Sequence, residues 1–177
     1  VPVCPTYGST ETASQIATAR PGAIDGPREA VGPPLVVADV TIVDPETGNP
    51  VDSGETGELV VDGPIVTPGY LDADATDAAM GDEGLHTGDL AAQDDAGRLT
   101  IHGRLDDAIQ TGGETVHPSR VVRALRNLPT VDDAAVVGLP DDEWGERVAA
   151  LVVPTDDSPV DAETIRSALG GEVADYE

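Results

Sequence analysis

The sequence predicts an α+β fold with a β-rich first part and a smaller second part in which helices and strands alternate. The first part contains short Val/Ile/Leu-rich runs separated by Gly, Pro and Asp turns, a pattern typical of a small antiparallel barrel or sandwich. After Gly103-Arg104, helical and strand periodicities alternate, which is typical of a separate small α+β domain. We therefore predict two domains, residues 1–104 and residues 105–177.

Three strands and one short helix are predicted in the first part. The strands cover Val36–Val43, Gly57–Gly63 and Arg98–His102, and turn-forming residues lie beside each of them. Residues 72–80 are expected to form a short helix or a helical turn. Together these elements make up the small β-barrel-like part of the predicted fold.

Two helices are predicted in the second part. The first begins at Pro118, whose fixed φ suits the first turn of a helix. Its apolar residues fall at helical spacing: Val121, Val122, Leu125 and Leu128. The last helix is capped by Asp161, and three of its residues are expected to face inward: Ile165, Ala168 and Leu169.

Between these helices, two Val/Ala/Leu-rich runs predict strands over Asp133–Leu139 and Arg147–Val153. Because proline cannot donate a hydrogen bond to a sheet, we expect these strands to end at Pro140 and Pro154. Trp144 lies in the loop between them and is expected to be a packing anchor.

The chain is strongly acidic, with a net charge of −25 over 177 residues. All nine basic residues are arginine, because the sequence contains no lysine. Such a surface repels phosphate backbones and anionic lipids, which argues against nucleic acids and membranes as partners. An apolar content of 39% argues against disorder. The composition is typical of a cytoplasmic protein from an extreme halophile, in which molar salt screens the self-repulsion.

The cysteine content, the apolar runs and the histidine spacing exclude further classes of protein and site. A single cysteine, Cys4, excludes an internal disulfide framework and fits a reducing cytoplasm. No apolar run in the sequence is long enough to span a membrane. His86, His102 and His117 lack the spacing of metal ligands, so a histidine metal site is not expected.

The segment Tyr7–Gln15 combines a phenol, a glycine, several hydroxyls and a carboxylate. A nucleotide site needs an aromatic face for a base, close backbone approach, hydroxyls for phosphate oxygens and a carboxylate for Mg²⁺. Taken alone, such a segment is more often a strand end and a turn than a ligand site. Two later segments, Thr87–Asp89 and Gly103–Glu114, favour the functional interpretation.

In this order, the three segments resemble the adenylate-forming enzymes, a superfamily that includes acyl-CoA synthetases, adenylation domains and luciferases. Within it, Tyr7–Thr18 and Gly112–Pro118 are most similar to the o-succinylbenzoate–CoA ligases of menaquinone biosynthesis. The resemblance implies ATP, Mg²⁺ and coenzyme A as cofactors. It further implies that a small carboxylic acid, here 2-succinylbenzoate, forms an acyl-adenylate and then a CoA thioester with release of AMP. Another aryl- or fatty-acyl-CoA synthetase is the alternative.

The resemblance assigns roles to the residues of the first segment. Tyr7 lies against adenine, and Gly8 and Ser9 belong to the nucleotide-binding set. Thr10 contacts the α-phosphate and Glu11 holds Mg²⁺, which makes these two the catalytic residues. The roles agree with the chemistry, because adenylation builds negative charge on phosphate oxygens that a metal ion and oriented donors offset.

Two later residues complete the implied nucleotide site. Asp89 is implied to accept hydrogen bonds from the ribose hydroxyls, and a carboxylate suits such a vicinal diol. Arg104 is implied to reach the ribose from the domain boundary. The alternatives are a plain turn residue at Asp89 and a surface ion pair at Arg104.

The resemblance also implies that the smaller domain takes part in the second step, in which the CoA thioester forms. Asp106 is the hinge position in the resemblance, about which a mobile C-terminal domain swings, and a solvated loop carboxylate is the alternative. Gly112 and Gly113 are implied to enter the active site and to line the pantetheine path. The pair also suits an ordinary turn, because glycine allows backbone conformations that other residues avoid.

The same resemblance places a phosphate-binding loop upstream and a catalytic lysine downstream of these segments, and neither is in the sequence given. We therefore expect the C-terminal portion of a longer ligase, inactive by itself. A non-catalytic remnant that acts as an acidic interaction module is the alternative from another functional class. The intact set Glu11, Asp89, Arg104 and Gly112-Gly113 disfavours it.

Overall fold

The computed structural model describes residues 3–22, 30–155 and 161–169. The chain folds into two compact units, Val1–Arg104 and Leu105–Glu177. Within the described ranges it contains β-sheets and three α-helices, so the α+β class predicted from the sequence is confirmed. In the same ranges, no helix combines the length and the apolar character needed to cross a membrane.

The first unit consists mainly of antiparallel strands. In chain order its elements are β1 (Thr6–Tyr7), β2 (Ala17–Thr18), β3 (Ala30–Gly32), β4 (Asp39–Val43), β5 (Thr56–Asp62), α1 (Ala73–Ala79), β6 (Met80–Gly81), β7 (Gly84–Gln93) and β8 (Leu99–Arg104). A 3₁₀ turn, Thr10–Thr12, follows β1. Strand β1 pairs with β2, and the other strands form one sheet in the order β3-β8-β7-β5-β4, with β6 paired to β7.

This sheet is open, so the barrel-like closure expected from the sequence is wrong for the described residues. Closure would require the two edge strands, β3 and β4, to pair with each other. Instead, β3 pairs with β8 and β4 pairs with β5. Strand β3 has only three residues, and Pro33 and Pro34 follow it without an N–H group to donate. The antiparallel pairing itself agrees with the prediction.

The core of the first unit is built from apolar residues of the sheet and of the segment before β3. Its most buried members include Ile16, Ala17, Leu59, Val61, Ala91 and Leu99. The predicted strand Val36–Val43 is shorter than expected, because only Asp39–Val43 is in the sheet and Val36 is fully exposed. The cause is local: the Ala38 N–H donates to the Leu35 carbonyl at 2.9 Å, and this turn holds Val36 away from the sheet.

The second unit is a four-stranded antiparallel sheet with two described helices. In chain order its elements are β9 (Ile109–Thr111), β10 (Glu114–Val116), α2 (Pro118–Arg126), β11 (Val131–Asp141), β12 (Gly145–Pro154) and α3 (Ala162–Leu169). The strand order is β10-β9-β12-β11. Helix α2 begins at Pro118 as predicted. It contributes to a core that includes Ile109, Val116, Val121, Leu125, Val136 and Leu169.

Two sequence predictions in this unit are wrong. Strand β11 continues through Pro140, which pairs with Glu146, so Pro140 does not end the strand. Among the described residues β11 is an edge strand that pairs with β12, and an edge tolerates a residue without an N–H group. In α3, Leu169 is buried but Ala168 is exposed. A helix turns about 100° per residue, which places Ala168 and Leu169 on opposite sides of the partly buried Ile165.

Candidate active site

The chain turns back on itself directly after β1. The Ile16 N–H donates to the Tyr7 carbonyl at 2.8 Å, which closes the segment between them into a loop. Gly8 is required by this loop, because a Cβ on Gly8 would collide with the carbonyl oxygen of Ser14. The need for glycine at this position therefore follows from the loop itself, independently of any ligand.

The threonines of the loop differ in burial. Thr12 is buried, and its Oγ1 accepts from the Ser9 N–H at 3.1 Å and donates to the Ser9 carbonyl at 3.2 Å. Thr12 thus stabilises the 3₁₀ turn, a task that the sequence did not reveal. Thr10 is exposed, so its hydroxyl is accessible to a ligand. Thr12 is therefore a structural residue, whereas Thr10 is able to bind a ligand.

Tyr7 and Arg104 meet at the carboxylate of Asp89. The Tyr7 hydroxyl donates to Oδ2 of Asp89, and Nη1 of Arg104 donates to Oδ1 at 3.0 Å. Strands β7 and β8 position this pair, because Asp89 and Arg104 face each other in their register. Burial, the hydrogen bond to Asp89 and the negative charge of Asp89 raise the pKa of Tyr7 well above its ordinary value. Tyr7 is therefore neutral and acts as the donor.

The Asp89 carboxylate keeps acceptor capacity for a ligand. Its side chain is 15% exposed, so it is largely buried but still reachable. An ionised carboxylate offers about four lone-pair positions. Because Tyr7 and Arg104 approach different oxygens, the carboxylate can still accept a further pair of hydrogen bonds. A vicinal diol would supply such a pair.

The part of β7 before Asp89 is held by Glu58, a residue that no sequence pattern singles out. Glu58 lies on β5, and its Oε1 accepts from the Gly88 N–H at 3.0 Å. Its Oε2 lies 2.9 Å from Nδ1 of His86. Strand β5 thus fixes the backbone that presents Asp89. A lone glutamate at the start of a strand has no sequence signature, so only the pairing of β5 with β7 reveals this contact.

Glu11 lies in the 3₁₀ turn, with its carboxylate against Tyr70. The Tyr70 hydroxyl donates to Oε1 of Glu11 at 2.9 Å, and the Thr67 N–H donates to the Glu11 carbonyl at 2.7 Å. The pKa of Glu11 is held below its ordinary value, first by a hydrogen bond from its own backbone N–H and then by the hydroxyls of Tyr70 and Ser9. Glu11 is therefore ionised at neutral pH, the state that a metal ligand requires.

Glu11 fits one particular kind of metal site. The described ranges contain no group of three or more His, Cys, Asp or Glu side chains that could hold a metal ion. A stand-alone metal centre therefore does not fit this part of the chain. Mg²⁺, however, is commonly held by one or two carboxylates together with substrate phosphates and water. An ionised and partly exposed Glu11 fits a site of that shared kind.

In the second unit, Gly112 and Gly113 form the turn between β9 and β10 with positive φ angles of 59° and 89°. The Gly112 N–H donates to the Trp144 carbonyl at 2.9 Å. A Cβ on Gly112 would lie 2.6 Å from Cε3 of Trp144, whereas a Cβ on Gly113 would meet no atom within 4 Å. Glycine is therefore favoured at position 112 by both the positive φ and the nearby Trp144 ring, and at position 113 by the positive φ alone. Trp144 is 54% exposed, so the packing anchor predicted at this position lies against Gly112 at the surface rather than in a core.

Asp106 is the second residue of the unit Leu105–Glu177 and is exposed. It lies in a turn in which the Ala108 N–H donates to the Leu105 carbonyl at 3.2 Å. This turn geometry suits both a hinge and a solvated loop carboxylate. The hinge role of Asp106 therefore stays a prediction.

Comparison with known proteins follows the same division of the chain. A family profile described as AMP-binding enzyme matches residues 1–71, and one described as AMP-binding enzyme C-terminal domain matches residues 123–177. The chain is 37% identical to a feruloyl-CoA synthase of Amycolatopsis sp over 171 residues, which cover 96% of this chain and 35% of the relative. It is 40% identical to a 2-succinylbenzoate–CoA ligase of Bacillus mycoides (strain KBAB4) over 158 residues, which cover 89% of this chain and 32% of the relative.

Among solved structures, the chain is similar to the o-succinylbenzoate CoA synthetase (MenE) from Bacillus subtilis. Its complex with the acyl-adenylate intermediate OSB-AMP superposes with a TM-score of 0.75 at 34% identity, covering 99% of this chain and 36% of that chain. Its complex with ATP and magnesium ion gives a TM-score of 0.75 at 33% identity, with the same coverage of 99% and 36%. The chain therefore spans about a third of the length of the relatives that it matches.

Proposed function

Because this chain belongs to the AMP-binding enzymes, we propose that the whole protein is an ATP-dependent acid–CoA ligase. In its first half-reaction a carboxylic acid and ATP form an acyl-adenylate and pyrophosphate. In the second, the thiol of CoA takes the acyl group and AMP leaves. In this proposal, residues 1–104 are the end of the large AMP-binding domain, and residues 105–177 belong to the mobile C-terminal domain.

The observation that carries the proposal is the meeting of Tyr7 and Arg104 at Asp89. In the proposed site, Asp89 accepts hydrogen bonds from the two ribose hydroxyls with its remaining lone pairs. The ring of Tyr7 lies against adenine, and its hydroxyl bond to Asp89 fixes the ring relative to the ribose acceptor. Arg104 orients the same carboxylate and reaches the ribose. Two strands and the end of a third thus preorganise the nucleoside site.

In the adenylation step, an oxygen of the substrate carboxylate attacks the α-phosphorus of ATP, and the bond to pyrophosphate breaks. The exposed Thr10 hydroxyl donates to an α-phosphate oxygen, on which negative charge develops. The loop backbone at Gly8 and Ser9 sets the position of that hydroxyl. Glu11 would hold Mg²⁺, which when bound supplies positive charge to the phosphates. Activation is needed because a carboxylate oxygen is a poor leaving group, whereas AMP is a good one.

In the thioester step, the sulfur of CoA attacks the acyl carbon and the bond to AMP breaks. We assign Gly112 and Gly113 to the path of the pantetheine arm. The open space at Gly113 supports this assignment, because a ligand can approach the backbone closely there. Asp106 is the proposed hinge that allows the smaller domain to swing between the two steps.

For the acid, we propose 2-succinylbenzoate, which would place the enzyme in menaquinone biosynthesis. The similarity of Tyr7–Thr18 and Gly112–Pro118 to the 2-succinylbenzoate–CoA ligases, together with the identity of 40% over 158 residues to one of them, supports this choice. Another aryl acid or a fatty acid is the alternative. Because the reaction draws on ATP and CoA, the proposal includes a cytoplasmic location.

The test uses the full-length protein in molar KCl and separates the two half-reactions by single turnover. With ATP, Mg²⁺ and 2-succinylbenzoate but no CoA, we expect an acyl-adenylate and pyrophosphate, and addition of CoA should give the thioester and AMP. Glu11→Ala is expected to slow adenylation by about 100- to 1000-fold. A preference for ferulate or octanoate would reject the proposed acid. Failure to adenylate any acid of a wider panel of aryl and fatty acids, indoleacetate included, would reject the ligase and favour an interaction module.

A further inference from the structure

We propose that Tyr70 is a positioning residue whose hydroxyl orients the Glu11 carboxylate that would hold Mg²⁺. This inference rests on the proposed function and adds a residue outside the motifs that point to it. The Tyr70 hydroxyl donates to Oε1 of Glu11 at 2.9 Å, across 59 positions of the chain. Because a carboxylate accepts several hydrogen bonds, a neutral donor on Oε1 restrains Glu11 without removing its charge.

Burial alone does not account for the placement of Tyr70. Tyr70 is 42% exposed, and the next residue, Leu71, is fully exposed. The hydrophobic effect scales with the apolar area removed from water, so this ring gains less from burial than a core tyrosine would. The contact with Glu11 is therefore the main interaction that this tyrosine makes through its hydroxyl.

The backbone of Tyr70 is held by Thr76 of α1. The Tyr70 N–H donates to Oγ1 of Thr76 at 2.8 Å. The Thr76 hydroxyl in turn lies 3.3 Å from the Tyr70 carbonyl and 3.0 Å from the Asp72 carbonyl. None of the residues of α1 is buried, so hydrogen bonds rather than core packing join this helix to the segment before it. Thr76 thus sets the position from which Tyr70 reaches Glu11.

The same segment contacts Glu11 a second time through the backbone. The Thr67 N–H donates to the Glu11 carbonyl at 2.7 Å, and the Thr67 hydroxyl donates to the Gly69 carbonyl at 3.2 Å. Gly69 has a positive φ of 147°, and a Cβ there would lie 2.7 Å from Cγ2 of Thr76. Residues 67–70 are therefore closely fitted to α1 at one end and to Glu11 at the other.

This arrangement predicts a specific effect on metal use. Hydrogen-bond partners of a ligating carboxylate typically change metal affinity by about 10- to 100-fold when they are removed. Tyr70→Phe removes one hydroxyl and leaves the exposed ring in place. We therefore expect the Mg²⁺ concentration for half-maximal adenylation to rise by about 10-fold. Thioester formation from a preformed acyl-adenylate should be unchanged, because pyrophosphate has already left at that stage.

The experiment compares Tyr70→Phe, Thr76→Val, Thr76→Ser and Leu71→Ala in the full-length protein. It measures the Mg²⁺ dependence of adenylation, the rate of thioester formation from added acyl-adenylate, and Mn²⁺ binding with a non-hydrolysable ATP analogue by electron paramagnetic resonance. Tyr70→Phe should weaken the Mn²⁺ and Mg²⁺ responses alike. Thr76→Val should have a smaller effect of the same kind. Thr76→Ser, which keeps the hydroxyl, and the exposed control Leu71→Ala should behave as the unmodified protein.

Unchanged Mg²⁺ and Mn²⁺ responses in Tyr70→Phe would overturn the inference, provided that the unmodified protein forms the acyl-adenylate. Equal losses in both half-reactions by the folded variant would also overturn it, since a general structural defect would then be the cause. If Tyr70→Phe fails to fold, the contrast between Thr76→Val and Thr76→Ser decides the question. An unmodified protein that forms no acyl-adenylate would reject the proposed function itself, and this inference with it.

Discussion

The Tyr7 hydroxyl donates a hydrogen bond to the carboxylate of Asp89, which lies 82 positions later in the chain. The bond joins the end of β1 to β7, and Arg104 on β8 contacts the other carboxylate oxygen at 3.0 Å. The groups proposed to bind adenine and ribose are therefore tied to one another before any ligand binds. Such preorganisation lowers the ordering cost of binding.

Removal of the Tyr7 hydroxyl should weaken this link and leave the ring in place. A hydrogen bond to a charged group contributes about 1.5–3 kcal/mol. We expect Tyr7→Phe to lower the free energy of unfolding by about 1.5 kcal/mol and to raise the KM for ATP several-fold. Urea denaturation and steady-state kinetics measure the two effects. For the unfolding measurement, Tyr70→Phe is the matched control, because its hydroxyl also bonds a carboxylate but is more exposed. An unchanged unfolding free energy in Tyr7→Phe would contradict the prediction.

The raised pKa of Tyr7 predicts a loss of stability in alkali. Tyr7 binds its proton more tightly in the folded chain than at the ordinary pKa of 10.0, mainly because it is buried. The resulting stabilisation is fully present below pH 10 and is lost as the pH rises beyond that value, since the unfolded chain then releases the proton first. Unfolding free energies measured from neutral pH to above pH 10 should fall more steeply for the unmodified chain than for Tyr7→Phe. Parallel curves would contradict this account.

Folding should depend on salt. The net charge of −25 makes self-repulsion large when screening is weak. The Debye length falls from about 30 Å at 0.01 M salt to about 3 Å at 1 M. We therefore expect the melting temperature, followed by circular dichroism, to rise from low to molar KCl. A constant melting temperature over this range would count against the halophilic interpretation.

A proline at the proposed hinge should separate the two half-reactions. Asp106→Pro would fix φ near −65° and remove an N–H group. We expect it to retain acyl-adenylate formation and to lose acyl transfer to CoA, whereas Asp106→Ala should support both. Single-turnover assays measure each step. Equal losses in both half-reactions of Asp106→Pro would leave Asp106 as a surface carboxylate.

Much of the fold could be predicted because local patterns are strong in this chain. The apolar stripe of α2 and the capping residue Asp161 were sufficient to locate both helices of the second unit. The sequence patterns gave wrong predictions where the pairing of strands determines which residues belong to the sheet. Val36 belongs to an apolar run but is held out of the sheet by a turn, and Pro140 continues a strand because that strand lies at an edge.

The candidate site could be predicted only in part for a related reason. Tyr7 and Glu11 belong to a segment whose composition suggests a ligand, whereas Asp89 was singled out by the resemblance to the adenylate-forming enzymes. Glu58 and Tyr70 support these residues from other parts of the chain, 30 and 59 positions away from the Gly88 N–H and the Glu11 carboxylate that they contact. An isolated polar residue carries no periodic or compositional signal. Its task becomes visible only when the sheet brings the segments together.

The most direct test of the proposed nucleotide site is whether Asp89 accepts hydrogen bonds from the ribose hydroxyls of ATP. The measurement is kcat/KM of the full-length protein for ATP and for 2′,3′-dideoxy-ATP, in the unmodified protein and in Asp89→Ala. Two hydrogen bonds to a carboxylate predict that the unmodified protein prefers ATP by about 100-fold or more. Asp89→Ala should lose most of this preference by losing activity with ATP. A preference that survives in Asp89→Ala, with both nucleotides slowed equally, would contradict the assignment of Asp89 and of the nucleotide site built around it.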